Sequence, residues 1–382
     1  MKEDIRNIPA IIGGDEKTRR GIVLAKSPVA KKYGIVTAET IYSAKKKCDN
    51  LKVFPADYRY YYKKSKELMN YLSNYSPILE QLSIDECFLD MTGTNYLYDN
   101  LIELAYKIKN EIKEKFGYTV NIGIANNKLC AKMASDFEKP DKVHTLFSTE
   151  IEEKLWPLDV SDLYMCGKST SSKLHQLGIK TIGDLAKSDQ KLLEKHFKSQ
   201  GIYLKQAALG IDNSKVGEHS IKNPSISISE TLPYNYSDLE KIKNIVFRQV
   251  EEVSRELRSK GYYAKTLTII LKDDNFHQTS SQETMENPTN RTKDFLLIAY
   301  RILDSNYHGE EIRLVGVKLS NLSKDRNEQI NIFSPEKSDE SNNIQQTIDI
   351  INNKFGKSII KPASLEIIGT SRSKKSYKDN DN

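Results

Sequence analysis

The sequence predicts an α+β protein of several domains, on three observations. Up to about residue 155, short apolar runs alternate with amphipathic helical segments. From Leu158 to Gly210, short helical segments are separated by glycines. From Ser225 to Leu319 the segments run β-α-β-β-α-β, the split βαβ order of ferredoxin-like domains. A length of 382 residues leaves room for more than one buried core.

The elements follow in order. Ala10-Ile11-Ile12, ending at Gly13-Gly14, reads as a short buried strand entering a turn, and Gly21–Ala25 as a second strand. Tyr60–Tyr75 carries apolar residues at helical spacing. Ile78–Asp90 is expected to hold a strand around Ile84 and another over Phe88–Asp90. Leu101–Phe116 is an amphipathic helix, Tyr118–Ala125 a β-branched strand and Asn127–Phe137 a helix, all arranged around one sheet. After Asn223-Pro224, Ser225–Thr231 alternates like a strand and Ser237–Ser259 forms a long charged helix. Thr266–Leu271 and His277–Glu283 are strands, Thr292–Leu303 a helix and Ile312–Leu319 the closing strand. Residues 321–343 are polar and linker-like. A last helix is expected over Ile344–Phe355, followed by a charged tail low in apolar residues.

Composition excludes several classes. Apolar residues are 38% and charged residues 29% of the chain. No run approaches the ~18 apolar residues of a membrane span. The opening Met1-Lys2-Glu3-Asp4 has no apolar leader core, so secretion is not expected, and the scattered cysteines suit a reducing cytoplasm. Cys48, Cys87, Cys130 and Cys166 lie far apart with no CxxC, which argues against a zinc site or a disulfide framework. Lys+Arg 58 against Asp+Glu 52 gives a net charge of +6. The distribution says more than the sum. Basic residues cluster at 17–20, 26–32, 45–47 and 63–66, with Tyr58, Tyr60, Tyr61 and Tyr62 beside the last group. Cations interleaved with aromatics suit a nucleic-acid backbone, although ordinary solvated helix faces have the same composition.

The sharpest chemical feature is Ser83-Ile84-Asp85-Glu86-Cys87-Phe88-Leu89-Asp90. Two adjacent acids inside a strand-like apolar stretch need a partner. A divalent cation is one, since Mg²⁺ takes one or two carboxylates plus substrate phosphates; a turn or a solvent-exposed pair is the other reading. Downstream, Asn121-Ile122-Gly123-Ile124-Ala125-Asn126-Asn127-Lys128 continues through Lys132 and Ser135 to Lys139-Pro140, a strand, a polar turn and a lysine-bearing helix.

Together these two motifs closely resemble the palm of Y-family DNA polymerases of the DNA polymerase IV (DinB/UmuC) type. The resemblance implies that Asp85 and Glu86 are catalytic Mg²⁺ ligands, with two ions in the intact family site, and that Lys139 contacts the incoming triphosphate. Lys26–Ile35 resembles the fingers segment and makes Lys31 a second triphosphate contact; many relatives have Tyr where this chain has Pro28. Leu163-Tyr164-Met165-Cys166-Gly167-Lys168, followed by Leu177-Gly178-Ile179, resembles the thumb's helix-hairpin-helix. The family's Gly-x-Gly is here Met165-Cys166-Gly167, so DNA phosphate contacts fall to Gly167, Lys168 and Ser169. The β-α-β-β-α-β block is similar to the little finger, whose cations would bind phosphates without reading sequence. Gln329-Ile330-Asn331-Ile332-Phe333 resembles a sliding-clamp docking peptide, with Gln329, Ile330, Ile332 and Phe333 as anchors.

The implied organisation is palm and fingers over 1–157, thumb over 158–215, little finger over 216–322, and linker, clamp peptide and tail over 323–382. The implied activity is translesion DNA synthesis by a monomer that binds primer-template DNA, deoxynucleoside triphosphates and a sliding clamp, but no membrane. The family's first motif, a strand with an Asp and a ribonucleotide-excluding aromatic, should lie upstream of Ala10, and no D-x-D/N-x-F pattern is present. The expectation is that the start as given lies downstream of the true one. The competing reading is a catalytically impaired relative that binds DNA and clamp only. A further rival rests on Gly13-Gly14-Asp15-Glu16, which resembles the Gly-Gly-Asp-Glu-Phe signature of diguanylate cyclases; Lys17 replaces the Phe and nothing else supports it.

Overall fold

A computed structural model describes residues 4–14, 21–94, 96–98, 100–218, 224–324, 347–351, 354 and 360. The chain divides into two compact units, one made of Met1–Ala56 with Ile221–Asn382 and the other of Asp57–Ser220.

The first unit opens with strand β1 (Ala10–Gly13), β2 (Val23–Lys26), helix α1 (Pro28–Lys32), α2 (Ile41–Lys47) and β3 (Lys52–Pro55). The three strands form a sheet in the order β2-β1-β3, with β1 antiparallel to β2 and parallel to β3. Ile11, Val23, Ala30, Ile35, Ile41 and Ala44 pack beneath it. Ser27 caps α1: its Oγ accepts from the Ala30 amide at 3.0 Å and donates to the Ile8 carbonyl at 2.7 Å. Pro28 then occupies the first turn, where its missing N–H costs nothing.

The second unit holds α3 (Tyr58–Leu72), β4 (Leu79–Gln81), β5 (Cys87–Leu89), α4 (Leu101–Phe116), β6 (Ile122–Ala125), α5 (Lys128–Asp136) and β7 (Val143–Leu146). Four helices follow: α6 (Lys168–Gln176), α7 (Ile182–Lys187), α8 (Gln190–Phe197) and α9 (Ser199–Ala208). Leu68, Leu72, Leu104, Ile108 and Ile112 form one core, against which residues flanking and within β4, β5 and β6 pack. A second core runs from Leu129 and Met133 of α5 through Leu155 and Leu174 to Leu204 and Ala208.

Two expectations fail here. The strand expected around Ile84 is a turn: Ser83, Ile84 and Asp85 bend between β4 and β5, and Ile84 is 48% exposed. Two acids and a serine leave this stretch too polar to be covered, and the Ser83 hydroxyl offers the backbone a local partner instead of a ladder. The expected single sheet is also replaced. Among the described residues the strands form β2-β1-β3, β4-β5 and β6-β7 as separate sheets. β4 and β5 pair across their own turn, and β6 pairs in parallel with β7 after α5.

The first unit resumes with β8 (Ile226–Tyr236), α10 (Leu239–Ser259), β9 (Tyr263–Asp273), β10 (Gln278–Thr289), α11 (Thr292–Asn306) and β11 (Ile312–Ser323). The sheet order is β10-β9-β11-β8, with every neighbouring pair antiparallel. β11 separates β8 from β9, and β9 separates β10 from β11, so each β-α-β pair is split as the segment order implied. Leu267, Ile269, Val315, Val317 and Leu319 form the covered side of the sheet. They pack with Val246, Val250 and Leu257 of α10 and Phe295, Ala299 and Ile302 of α11. Strands here run several residues past the apolar stretches; β10 continues through Pro288 to Thr289. Arg258 on α10 grips Asp349 with Nε at 2.6 Å and Nη2 at 3.1 Å, and residues 347–351 are helical, inside the expected last helix.

Candidate active site

The acidic pair Asp85 and Glu86 lies in the turn of a hairpin. Leu79 pairs with Leu89, Glu80 with Phe88 and Gln81 with Cys87. The turn is closed by Leu82 and Ser83, whose amides donate to the Glu86 carbonyl at 2.9 and 3.2 Å. The Ser83 hydroxyl donates to Asp85 Oδ1 at 2.7 Å, fixing that carboxylate while leaving it open to solvent. Glu86, half-buried, points to α5, where Lys132 Nζ donates to its Oε1 at 2.8 Å.

Helix α5 is built to meet this hairpin. Asn127 caps it by accepting from the Cys130 amide. Lys128 and Lys132 lie one turn apart on the same face. Lys128 Nζ donates to both oxygens of Glu80, at 3.0 and 2.9 Å, and sits 5.8 Å above the Phe88 ring. Glu80 is buried, and its Oε2 also accepts from the Gly217 amide at 2.9 Å. Gly123 lets the helix approach. A Cβ there would lie 1.9 Å from the Ala131 carbonyl oxygen and 2.6 Å from the Ser135 nitrogen.

Lys132 also donates to Asp136 Oδ2 at 2.8 Å, and Lys139 reaches Asp136 Oδ1 at 2.6 Å. Burial acts to raise the Asp136 carboxyl, but hydrogen bonds from Lys132 and Lys139 outweigh it and hold the group below the ordinary aspartate value. The structure therefore joins Glu86 to Lys139 through Lys132 and Asp136. Glu80, Lys128, Lys132 and Asp136 were not singled out from sequence as site residues. The legible signal was the pair of lysines four apart on a helix next to a stretch with three acids.

The donors fit a hard divalent cation, which needs only one or two protein carboxylates when substrate phosphates complete its shell. Among the described residues, no group of three or more His, Cys, Asp or Glu side chains is arranged to hold a metal by itself. Burial raises the Cys87 thiol to about 11, so beside the acids it stays a protonated, apolar group.

The remaining sequence candidates lie elsewhere. Lys31 is exposed on α1, in the first unit. Gly167, Lys168 and Ser169 are exposed at the start of α6, with Gly167 at the cap position. Met165 keeps a left-handed backbone, φ 68°, so the loop holds a glycine-type conformation without the glycine. The hairpin through Gly178 (φ 81°) leads to α7, where Thr181 and Asp184 form a reciprocal cap. Gln329, Ile330, Ile332 and Phe333 lie outside the described residues, as does the 17–20 basic cluster.

The chain matches the impB/mucB/samB family over residues 1–136 and that family's C-terminal domain over residues 223–332. It is 44% identical to the DNA polymerase IV of Clostridium acetobutylicum over 94% of this chain and 90% of that protein. It is 37% identical to the DNA polymerase IV of Alkaliphilus oremlandii over 94% of this chain and 93% of that one. Among solved structures, a Y-family DNA polymerase chimera of Dbh and Dpo4 superposes with a TM-score of 0.73 at 26% identity, covering 84% of this chain and 94% of the other. An insertion ternary complex of Dbh DNA polymerase gives 0.59 at 26% identity, covering 84% and 93%.

Fold and relatives thus define a Y-family nucleotidyltransferase. The chain belongs to the DNA polymerase IV branch of the impB/mucB/samB family, DNA-directed DNA polymerases of the translesion type. DNA and deoxynucleoside triphosphates are its partners. No helix among the described residues is long and apolar enough to cross a membrane.

Proposed function

We propose that the β4–β5 turn is the catalytic edge of this polymerase. Asp85 and Glu86 would hold divalent metal, Mg²⁺ in the cell, which when bound supplies charge neutralisation at the reacting phosphate. The primer 3′-hydroxyl attacks the α-phosphate of a deoxynucleoside triphosphate and gives its proton to solvent, a P–O bond forms, and pyrophosphate leaves with the electron pair of the broken P–O bond. Asp85 is oriented for this by Ser83 and Glu86 by Lys132. Lys139 and Lys31 neutralise the triphosphate, and such preset charges act without reorganisation during reaction. The exposed Gly167–Ser169 segment grips DNA phosphate through Lys168 and backbone amides. Gln329–Phe333 docks on a sliding clamp, and the protein works as a cytoplasmic monomer organised as palm and fingers, thumb and little finger.

The single observation that carries the catalytic reading is the solvent-facing Asp85–Glu86 turn braced by two helix lysines. Its test is primer extension beside a gel shift. Glu86→Ala or Asp85→Ala should lower extension by about 10²–10³-fold or more, with primer-template affinity nearly unchanged. Loss of DNA affinity by a similar factor would refute a catalytic role. Deleting 329–333 should abolish stimulation by the clamp and keep basal synthesis; undiminished stimulation would refute the docking peptide.

A further inference from the structure

We propose that Lys132 is a positioning residue that couples metal binding at Glu86 to nucleotide binding at Lys139, by exchanging partners along a row of four charges. The proposal rests on the roles given above to Glu86 and Lys139. The row runs Glu86, Lys132, Asp136, Lys139, with successive contacts of 2.8, 2.8 and 2.6 Å. Its signs alternate, so it is neutral while closed. Lys132 is its inner member: its side chain is 12% exposed, against 40% for each of its two acids and 57% for Lys139.

The Lys132 ammonium lies between two carboxylates, each at 2.8 Å, Glu86 Oε1 and Asp136 Oδ2. Lys132 therefore stays a cation and must keep an acid close. The next acid along the hairpin, Glu80, is already held by Lys128 and the Gly217 amide. Glu86 and Asp136 are its two choices.

A divalent cation held by Glu86 repels the Lys132 ammonium and weakens its pairing with that carboxylate. As Glu86 turns away, Lys132 gives its donors to Asp136 alone. Asp136 already holds both ammonium groups, and once Lys132 depends on it alone, the more exposed Lys139 is the one released, because an exposed ion pair contributes little. Lys139 becomes free for triphosphate oxygens. Linkage makes the coupling reciprocal: nucleotide on Lys139 strengthens the hold of Asp136 on Lys132 and frees Glu86.

The experiment uses the full chain without DNA and two probes. Mn²⁺ binding is read from the electron paramagnetic resonance signal of the free aquo ion. Binding of deoxycytidine triphosphate is read with EDTA and with Mn²⁺. Lys132→Met should raise Mn²⁺ affinity about two- to fivefold, the scale of a partly exposed charge interaction, and erase the Mn²⁺ enhancement of nucleotide binding. Lys132→Arg should restore both. Asp136→Asn should move the two probes oppositely: weaker Mn²⁺ binding, because Lys132 stays on Glu86, and tighter nucleotide binding in EDTA, because Lys139 is free. Unchanged or weaker Mn²⁺ binding in Lys132→Met, with Glu86→Gln lowering it, overturns the coupling and leaves the metal-ligand reading standing. Glu86→Gln without effect on Mn²⁺ overturns both. Should Lys132→Met fail to fold, the opposite shifts of Asp136→Asn decide the matter, and shifts of the same sign reject it.

Discussion

The four-stranded sheet of the first unit and the acidic hairpin of the second are held by different forces. In the sheet, buried aliphatic residues of β9 and β11 meet buried aliphatic and aromatic residues of α10 and α11, with Leu267, Val315 and Phe295 fully covered. In the hairpin, β5 is only half-buried, and the side chains that join hairpin to helix are Glu80, Lys128, Glu86 and Lys132. The sheet is a scaffold whose interactions are non-directional. The hairpin is specified by charges whose geometry matters.

The contrast can be broken from both sides. Glu80→Ala should destabilise by about 3–5 kcal/mol, because it strands the Lys128 ammonium in a buried place. Adding Lys128→Met to an apolar Glu80→Leu should recover most of that loss in urea unfolding. Phe295→Ala should also cost about 3–5 kcal/mol, but with no partner substitution that rescues it; rescue there would erase the distinction. Gly123→Ala comes next, at about 3 kcal/mol, since the new methyl overlaps the α5 backbone and helix and strand must part. Hydrogen exchange followed by mass spectrometry should show the loss confined to segments around β6 and α5.

Smaller effects sharpen the picture. Met165→Gly should stabilise by up to about 1 kcal/mol, because glycine adopts the left-handed backbone without strain. It should also tighten DNA binding if the α6 loop holds phosphate. The smallest effect concerns acid. The Asp136 carboxyl is lower in the folded chain than its ordinary 3.8, so its contribution is present above that value and lost as pH falls through the folded value. Denaturation between about pH 5 and pH 3 should therefore show a modest decline that Asp136→Asn reduces.

Long periodic segments were the most legible. Leu101–Phe116 was readable to both ends, since Asn100 caps its start and Gly117, at φ 71°, ends it. The β-α-β-β-α-β order was readable too, because Ser225–Thr231 alternates, β9 and β11 hold apolar runs, and each helix carries one apolar face. The region around Ile84 was misread. An isoleucine beside a strand-like run suggested pairing, whereas the acids and the Ser83 hydroxyl made a turn there. Of the candidate site, Asp85, Glu86 and Lys139 were visible through motif resemblance. The two charges joining them, Lys132 and Asp136, were not, because a lysine on a helix reads the same whether it meets water or an acid from another element.

By itself the sequence determined most of the strands and helices and the split βαβ order of one block, and through motif resemblance it named candidate acids and lysines. These follow from local rules of apolar period, caps and turn chemistry, and from motif spacing. Only the tertiary structure decided that the strands form separate sheets, that Gly123 is a contact surface for α5, and that Glu86 and Lys139 lie on one line of alternating charge. Those outcomes depend on which side chains from distant parts of the chain come within a few ångströms, and Coulomb and steric energies at that range have no signature in the order of residues.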